Sequence, residues 1–180
     1  SKCGVFVGAG PGDYMHLSMN ASTEASAFWG NTSSILASRI AYYLNLKGPA
    51  VAVDTACSSS LVAMDIGCKS LLLGETDLII SGGITIYTTP EFYRQSCRAG
   101  MLSPNGQCYT FDKRADGFVP GEGVGVVVMK RLKDAEMDGD HIYGVIKGIL
   151  TNQDGTTSGI TAPSAVSQKN LETELYTRYK

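Results

Sequence analysis

The run Val51-Ala52-Val53-Asp54-Thr55-Ala56-Cys57-Ser58-Ser59-Ser60-Leu61 constrains this chain more than any other stretch, because it reads as a strand turning sharply into a helix. Val51 and Val53 alternate after Gly48-Pro49, the period of a short strand. Leu61, Met64, Cys68, Leu71 and Leu72 then recur at helical spacing until Gly74. Cys57 falls at the corner, near the amino end of the helix. Unpaired backbone N–H groups there favour negative charge on a sulfur, and the same groups can hold the oxyanion formed when a thioester carbonyl is attacked. Ala56, Ser58 and Ser59 are small enough to leave that sulfur reachable. Free cysteine is also among the most buried residue types, so the corner alone leaves packing and catalysis both open.

Strands and helices alternate along the chain. Apolar segments at Gly4 to Val7, Val51 to Val53, Leu78 to Ile80, Val124 to Met129 and Tyr143 to Ile149 read as strands. Ile35 to Leu44, Ser59 to Leu73 and Glu91 to Arg98 read as helices. A last helix opens at Ser164 or Ser167, with Leu171, Leu175 and Tyr176 or Tyr179 on its apolar face. This alternation predicts an α/β layered fold. No internal repeat or low-complexity linker interrupts residues 1–180, which read as one unit.

The 180 residues are 43% hydrophobic and 18% charged, enough to build one sizeable core. A net charge of -2 with scattered Lys and Arg leaves no basic footprint and argues against nucleic acid. Lys130-Arg131 and Lys133 read as a solvated turn after a strand. No apolar run is long enough for a bilayer, and no basic-then-apolar leader is seen, so no membrane association is expected. Five dispersed cysteines without a CxxC pair or histidines at ligand spacing argue against zinc and suit a reducing cytoplasm. Cys3, Cys68, Cys97 and Cys108 lack the local chemistry of Cys57 and are read as structural.

Several other motifs have simpler explanations. Gly8-Ala9-Gly10-Pro11-Gly12-Asp13 follows a strand but lacks the third glycine of a dinucleotide loop, so it reads as a turn. Asp112, Asp116 and Glu122 sit among glycines and a proline, as in an ordered loop whose carboxylates satisfy backbone donors. The sequons Asn20-Ala21-Ser22 and Asn31-Thr32-Ser33 carry no weight without a secretory leader. His16 and His141 have no neighbours that would make either catalytic.

Asp54-Thr55-Ala56-Cys57-Ser58-Ser59-Ser60-Leu61 resembles the active-site signature of β-ketoacyl synthases, in particular the ketosynthase domains of modular polyketide synthases. The resemblance continues at Gly4 to Ala9, Gly30 to Ser34, Ser38 to Pro49, Ile80 to Gly83, Gly100 to Pro104, Phe111-Asp112 and Ala115 to Gly123. The Gly-Asn-Thr-Ser-Ser wording resembles the bacterial modular branch fed by separate acyltransferases. Family membership implies a thiolase-like, layered αβαβα architecture, of which these residues hold most of the first half and the start of the second. The family's His-Gly-Thr-Gly-Thr and Gly-His motifs do not occur, so the resemblance implies a partial ketosynthase domain.

The same resemblance implies a reaction. Cys57 takes an acyl chain from the phosphopantetheine arm of an acyl carrier protein, and a malonyl-type extender then undergoes decarboxylative Claisen condensation with it. Neither a resident cofactor nor a metal is implied; the phosphopantetheine arrives on the carrier. The histidines that assist condensation lie in the motifs this sequence lacks, so it is expected to acylate without condensing. The implied assembly is a homodimer meeting near Asn45 to Thr55. A non-elongating, transacylating ketosynthase and a noncatalytic carrier-docking or dimerisation domain are the other readings.

Overall fold

The structure, a computed structural model, describes residues 2–21 and 24–179. The sequon at Asn20 to Ser22 therefore falls partly outside the described residues. Four strands form one sheet in the order β2-β1-β3-β4. They are β1 (Cys3–Gly8), β2 (Ala50–Val53), β3 (Leu78–Thr85) and β4 (Gly123–Met129). β1 runs parallel to both β2 and β3, whereas β3 and β4 are antiparallel. Parallel neighbours need crossovers. The first is made by α1 (Tyr14–Ala21), α2 (Ala25–Asn31) and α3 (Ser33–Tyr43), and the second by α4 (Ser59–Leu72).

β1 is buried along its whole length because helices cover both of its faces. Phe6 points into a core with Val53, Ala63, Leu71, Ile79 and Met129 beneath α4. Val5 and Val7 alternate to the other face and pack on Ala37 of α3, with Leu36 and Ile40 beside them. The period-2 pattern of β1 thus supplies both cores from one strand. β2 lies at the sheet edge, and the whole of β4 except Met129 is exposed.

The remaining elements are α5 (Glu91–Arg98), α6 (Leu132–Asp138) and α7 (Ala165–Arg178). Arg131 ties three of the segments together, donating to Leu71 O at 2.9 Å, Thr76 O at 2.7 Å and the Asp77 carboxylate at 2.9 Å. Its neighbour Lys130 pairs with Asp138 and Asp140. The basic cluster is therefore a structural clamp at the end of β4 and not only a solvated turn. α7 is capped by Ser164, whose hydroxyl accepts from Ser167 N at 3.1 Å. On α7, Leu171 and Leu175 are half-buried, and the Tyr179 ring lies against Gly148.

The expected strand at 143–149 does not form. A strand is defined by a ladder, and no described residue pairs with this segment, which leaves Tyr143 almost fully exposed. The segment that follows it is instead tethered by side chains. Thr151 donates to the buried Asp65 carboxylate at 3.2 Å, and Asn152 donates to Ser167 O at 2.9 Å.

The amino end of α4 rests on the sheet at two glycines. A Cβ at Gly8 would sit 2.4 Å from Ser60 N, and one at Gly83 would sit 2.8 Å from Ser60 Cβ. Gly8→Ala must therefore push the helix away from β1. The expected loss of stability is about 1–3 kcal/mol, the usual range for overpacking, read as a lower urea midpoint with an unchanged slope.

Candidate active site

β2 ends at Val53, and the chain turns through Asp54 and Thr55 into a single 3₁₀ turn, Ala56–Ser58, that leads directly into α4. Ala56 takes the left-handed conformation, φ 54°, which is costly for a residue with a Cβ. Neighbouring side chains hold it there. The Asp54 carboxylate accepts from Ala56 N at 3.1 Å. The Ser59 hydroxyl accepts from Thr55 N at 2.8 Å and donates to Ala56 O at 2.7 Å. Ser58 donates its hydroxyl to Thr55 O at 2.8 Å. The residue types around Cys57 thus build the corner that presents it.

Cys57 is exposed at this corner. It opens into a cleft of about 480 Å³ at the carboxyl ends of β1 and β3. Open α/β sheets place ligands at such an end, where the connections from neighbouring strands diverge. Ala9 and Gly10 form one side of the cleft, Ser60 and Met64 of α4 another, and Gly83, Ile84 and Thr85 of β3 a third. Gly121 and Gly123 close the side nearest β4. The glycine-rich loop after β1, read from sequence as a turn, runs without regular structure to Asp13, and its Ala9 and Gly10 form a wall of the cleft.

Two carboxylates anchor the loop that follows β3. Glu122 accepts from Tyr87 N at 2.5 Å. Asp13 accepts from Thr88 N at 3.0 Å, from Thr89 N and Thr89 Oγ1 at 2.7 Å each, and from the Thr88 hydroxyl. These bonds, the Thr88 hydroxyl foremost, hold the Asp13 carboxyl well below the usual carboxylate range. Tyr87 stacks on Phe92 with centroids 4.5 Å apart and meets Tyr93 edge-on at 5.5 Å. Burial pushes its phenol up, and the charges of Tyr93, Cys57 and Glu122 act in the same direction. Sequence reading assigned no role to Asp13 or Tyr87, because the contacts that define them join residues 75 and 35 positions apart.

The other sequence candidates lie elsewhere. Asp112 accepts from Arg114 N at 2.9 Å, and Asp116 accepts from Ser103 Oγ at 3.1 Å, so with Glu122 they order loops as expected. Cys3 is buried and Cys68 half-buried, and burial raises both thiols. Cys97 and Cys108 are exposed instead of packed, although Cys108 Sγ accepts from Val119 N at 3.3 Å. His16 lies on α1, and His141 meets Tyr143 edge-on at 4.5 Å; neither lines the cleft. Among the described residues no His, Cys, Asp and Glu side chains gather as a metal site, and no helix is long and apolar enough to cross a membrane.

The mixed sheet in the order β2-β1-β3-β4 with its covering helices is that of a thiolase-like α/β fold, here in part. The chain belongs to the β-ketoacyl synthase family, matching its N-terminal domain over residues 1–135. It is 54% identical over 178 residues to polyketide synthase PksL of Bacillus subtilis, covering 99% of this chain and 4% of that protein. It is 48% identical over 173 residues to a mycocerosic acid synthase-like polyketide synthase of Mycolicibacterium smegmatis, covering 95% of this chain and 8% of that one. Among solved structures, the ketosynthase from module 6 of the Bacillus subtilis bacillaene synthase superposes with a TM-score of 0.91 at 53% identity, over 99% of this chain and 30% of that one. An oxazolomycin ketosynthase domain of Streptomyces albus gives 0.90 at 33% identity, over 99% and 32%. The chain thus spans about a third of these solved domains and less than a tenth of the two curated relatives.

The Asp13 latch has a definite pH signature. A carboxyl whose folded value lies below its ordinary 3.8 contributes stability that is complete above that pH and is lost as the pH falls through the folded value. Asp13→Ala is therefore expected to melt below the native protein at pH 7. The gap should narrow on acidification below 3.8, as thermal unfolding followed by circular dichroism will read. A gap independent of pH would remove the charged latch.

Proposed function

We propose that Cys57 is the acyl-accepting nucleophile of a polyketide synthase ketosynthase and that residues 1–180 are part of a single such domain. The observation that carries this reading is the exposed Cys57 sulfur on the strained corner, open to the cleft. The Cys57 thiolate attacks the carbonyl of an acyl thioester, and N–H groups at the start of α4 stabilise the oxyanion. Collapse expels the thiolate of the carrier's phosphopantetheine arm, which takes up the proton lost by Cys57. Decarboxylation of a malonyl-type thioester then gives an enolate that attacks the Cys57 thioester, forming a β-ketoacyl carrier thioester and freeing the sulfur.

The partners follow from this chemistry. An acyl carrier protein brings both thioesters, and the phosphopantetheine belongs to it, so the cleft needs no cofactor of its own. A second copy of the domain fits the free edge of β2, the strand nearest Cys57, since an unpaired edge offers a row of backbone donors and acceptors. Five free thiols suit a reducing cytoplasm. The condensation step also needs a group to assist decarboxylation, typically worth about a hundred- to ten-thousandfold in rate. Neither His16 nor His141 reaches the cleft to serve as that group.

Exposure to a simple acyl thioester, followed by intact-mass analysis and peptide mapping, tests the assignment. One acyl adduct on Cys57 is expected, with labelling reduced at least a hundredfold in Cys57→Ala. Equal labelling of the exposed Cys97 and Cys108 would refute it. Subsequent addition of a malonyl thioester to a protein in which the native downstream sequence is restored separates an elongating enzyme, which releases a β-ketoacyl product, from a transacylating one, which does not.

A further inference from the structure

Away from the cleft, one surface turn holds a reactive pair of residues. Ser103-Pro104-Asn105-Gly106 has the residue types of a tight turn, with proline second and glycine fourth, and Gly106 takes φ 67°. Asn105 and Gly106 are both exposed, and the Asn105 side chain makes no hydrogen bond to any described residue. The turn bond from Gly106 N to Ser103 O is long, 3.4 Å, so this N–H is weakly held. A Cβ at Gly106 would meet nothing within 4 Å, so the space around the peptide is open. A free side-chain amide carbon therefore lies next to an unshielded backbone nitrogen. The other asparagines each lack one of these conditions. Asn31 donates its amide to Ser18 Oγ at 2.7 Å and Ala27 O at 2.6 Å, and Asn152 donates its amide to Ser167 O at 2.9 Å. Asn45 precedes Leu46, whose N–H is held by Ala41 O at 2.8 Å. Asn20 and Asn170 lie inside α1 and α7, where helix bonds occupy the following nitrogen.

We propose that Asn105-Gly106 is a site of spontaneous modification at which the asparagine amide is lost and the main chain is rerouted. Gly106 N gives up its proton and attacks Asn105 Cγ. The new N–Cγ bond closes a cyclic succinimide as the Cγ–Nδ2 bond breaks, and ammonia leaves carrying that proton. Water then adds to one of the ring carbonyls. Opening on the side-chain side gives aspartate, and opening on the main-chain side gives isoaspartate, which lengthens the backbone by a methylene. Water is consumed and ammonia released, with no oxidant or reductant involved. The structural consequence runs through Ser103. Its hydroxyl accepts from Asn105 N and Gln107 N at 3.4 Å each and donates to Asp116 Oδ1 at 3.1 Å. A longer backbone between Asn105 and Gly106 displaces Gln107 N from that hydroxyl, and either product adds a carboxylate to a turn already tied to one. The segments joined there are tightly apposed, since Leu102 bridges to Phe118 and a Cβ at Gly117 would lie 2.4 Å from Leu102 C. Loss of the Ser103 tie therefore loosens the pairing of Leu102 with Phe118.

The test incubates the native protein, and separately a synthetic peptide of residues 99–113, in mildly alkaline buffer. Trypsin releases the same peptide from the protein by cutting after Arg98 and Lys113. Mass spectrometry follows loss of the amide, and chromatography separates isoaspartate from aspartate. In the folded protein Asn105 is expected to convert at least about tenfold faster than any other asparagine, and within about tenfold of its rate in the free peptide. The rate should rise with pH, because the attacking nitrogen must be deprotonated. Conversion more than about tenfold slower in the protein than in the peptide, or faster at Asn31 or Asn152 than at Asn105, overturns the proposal. Asn105→Gln keeps an amide but sets its carbon one bond further from Gly106 N, and it should remain unmodified. The aged native protein should then melt below equally aged Asn105→Gln protein, whereas equal melting temperatures overturn the loosening of the loop.

Discussion

At Gly8 there is no room for a side chain, because the backbone of Ser59 and Ser60 occupies the space where a Cβ would stand. That contact fixes how far the amino end of α4 can descend onto the sheet. Gly83 makes the same allowance on β3 against the Ser60 side chain. With a bulkier residue at either position the helix would ride higher, and Cys57 would leave the level of the strand ends. The core beneath α4 follows from the same placement. Ala63 is fully buried, and Gly67 brings the helix backbone close to Ile79 and Met129. Small residues on the helix and sheet therefore set the depth of packing, and the larger Phe6 and Ile79 fill what remains.

The corner itself is a balance between backbone strain and local hydrogen bonds. A left-handed Ala56 costs roughly 1–2 kcal/mol. Each neutral hydrogen bond that holds the turn returns about 1 kcal/mol, and a bond to a charged group returns more. Asp54, Ser58 and Ser59 supply four such bonds to the backbone of Thr55 and Ala56. The corner is accordingly stable without help from distant residues. This is why a stretch of about ten residues carries so much of the information about the site. Asp54 is part of this scaffold through its carboxylate and need not act on substrate.

What the sequence reveals divides along the range of the interactions involved. β1, β2, α4 and α5 are legible because their apolar residues repeat at a strand or helix period and a glycine or proline lies at one end of each, which are local signals. α2 and α6 are not, being seven residues each with almost nothing buried to impose a period. α6 nonetheless ends on Gly139 at φ 71°, a left-handed terminus that the Asp-Gly pair could have indicated. The segment 143–149 misleads for the opposite reason: its period is that of a strand, but pairing is a property of two segments and cannot be read from one. The cleft repeats this lesson. Cys57 is visible because its corner is self-contained. Asp13, Tyr87 and Glu122 gain their meaning only when the sheet brings three loops to one end.

That difference also governs how the chemistry divides. Acyl transfer needs a nucleophile and donors for the oxyanion, and in the proposed reading both come from the turn and first residues of α4, a single continuous stretch. Choosing among acyl chains needs walls, and these come from the loops after β1 and β3 and the run before β4, fastened to one another by Asp13 and Glu122. Condensation needs an acid or base beside the enolate, and neither histidine of this sequence stands there. On the reading proposed above, acyl transfer resides in the stretch from the turn into α4. The carboxylates around the cleft are committed to backbone and hydroxyl donors: Asp54 to Ala56, Glu122 to Tyr87, and Asp13 to Thr88 and Thr89. Groups already spent on holding the walls are poorly placed to exchange protons with substrate.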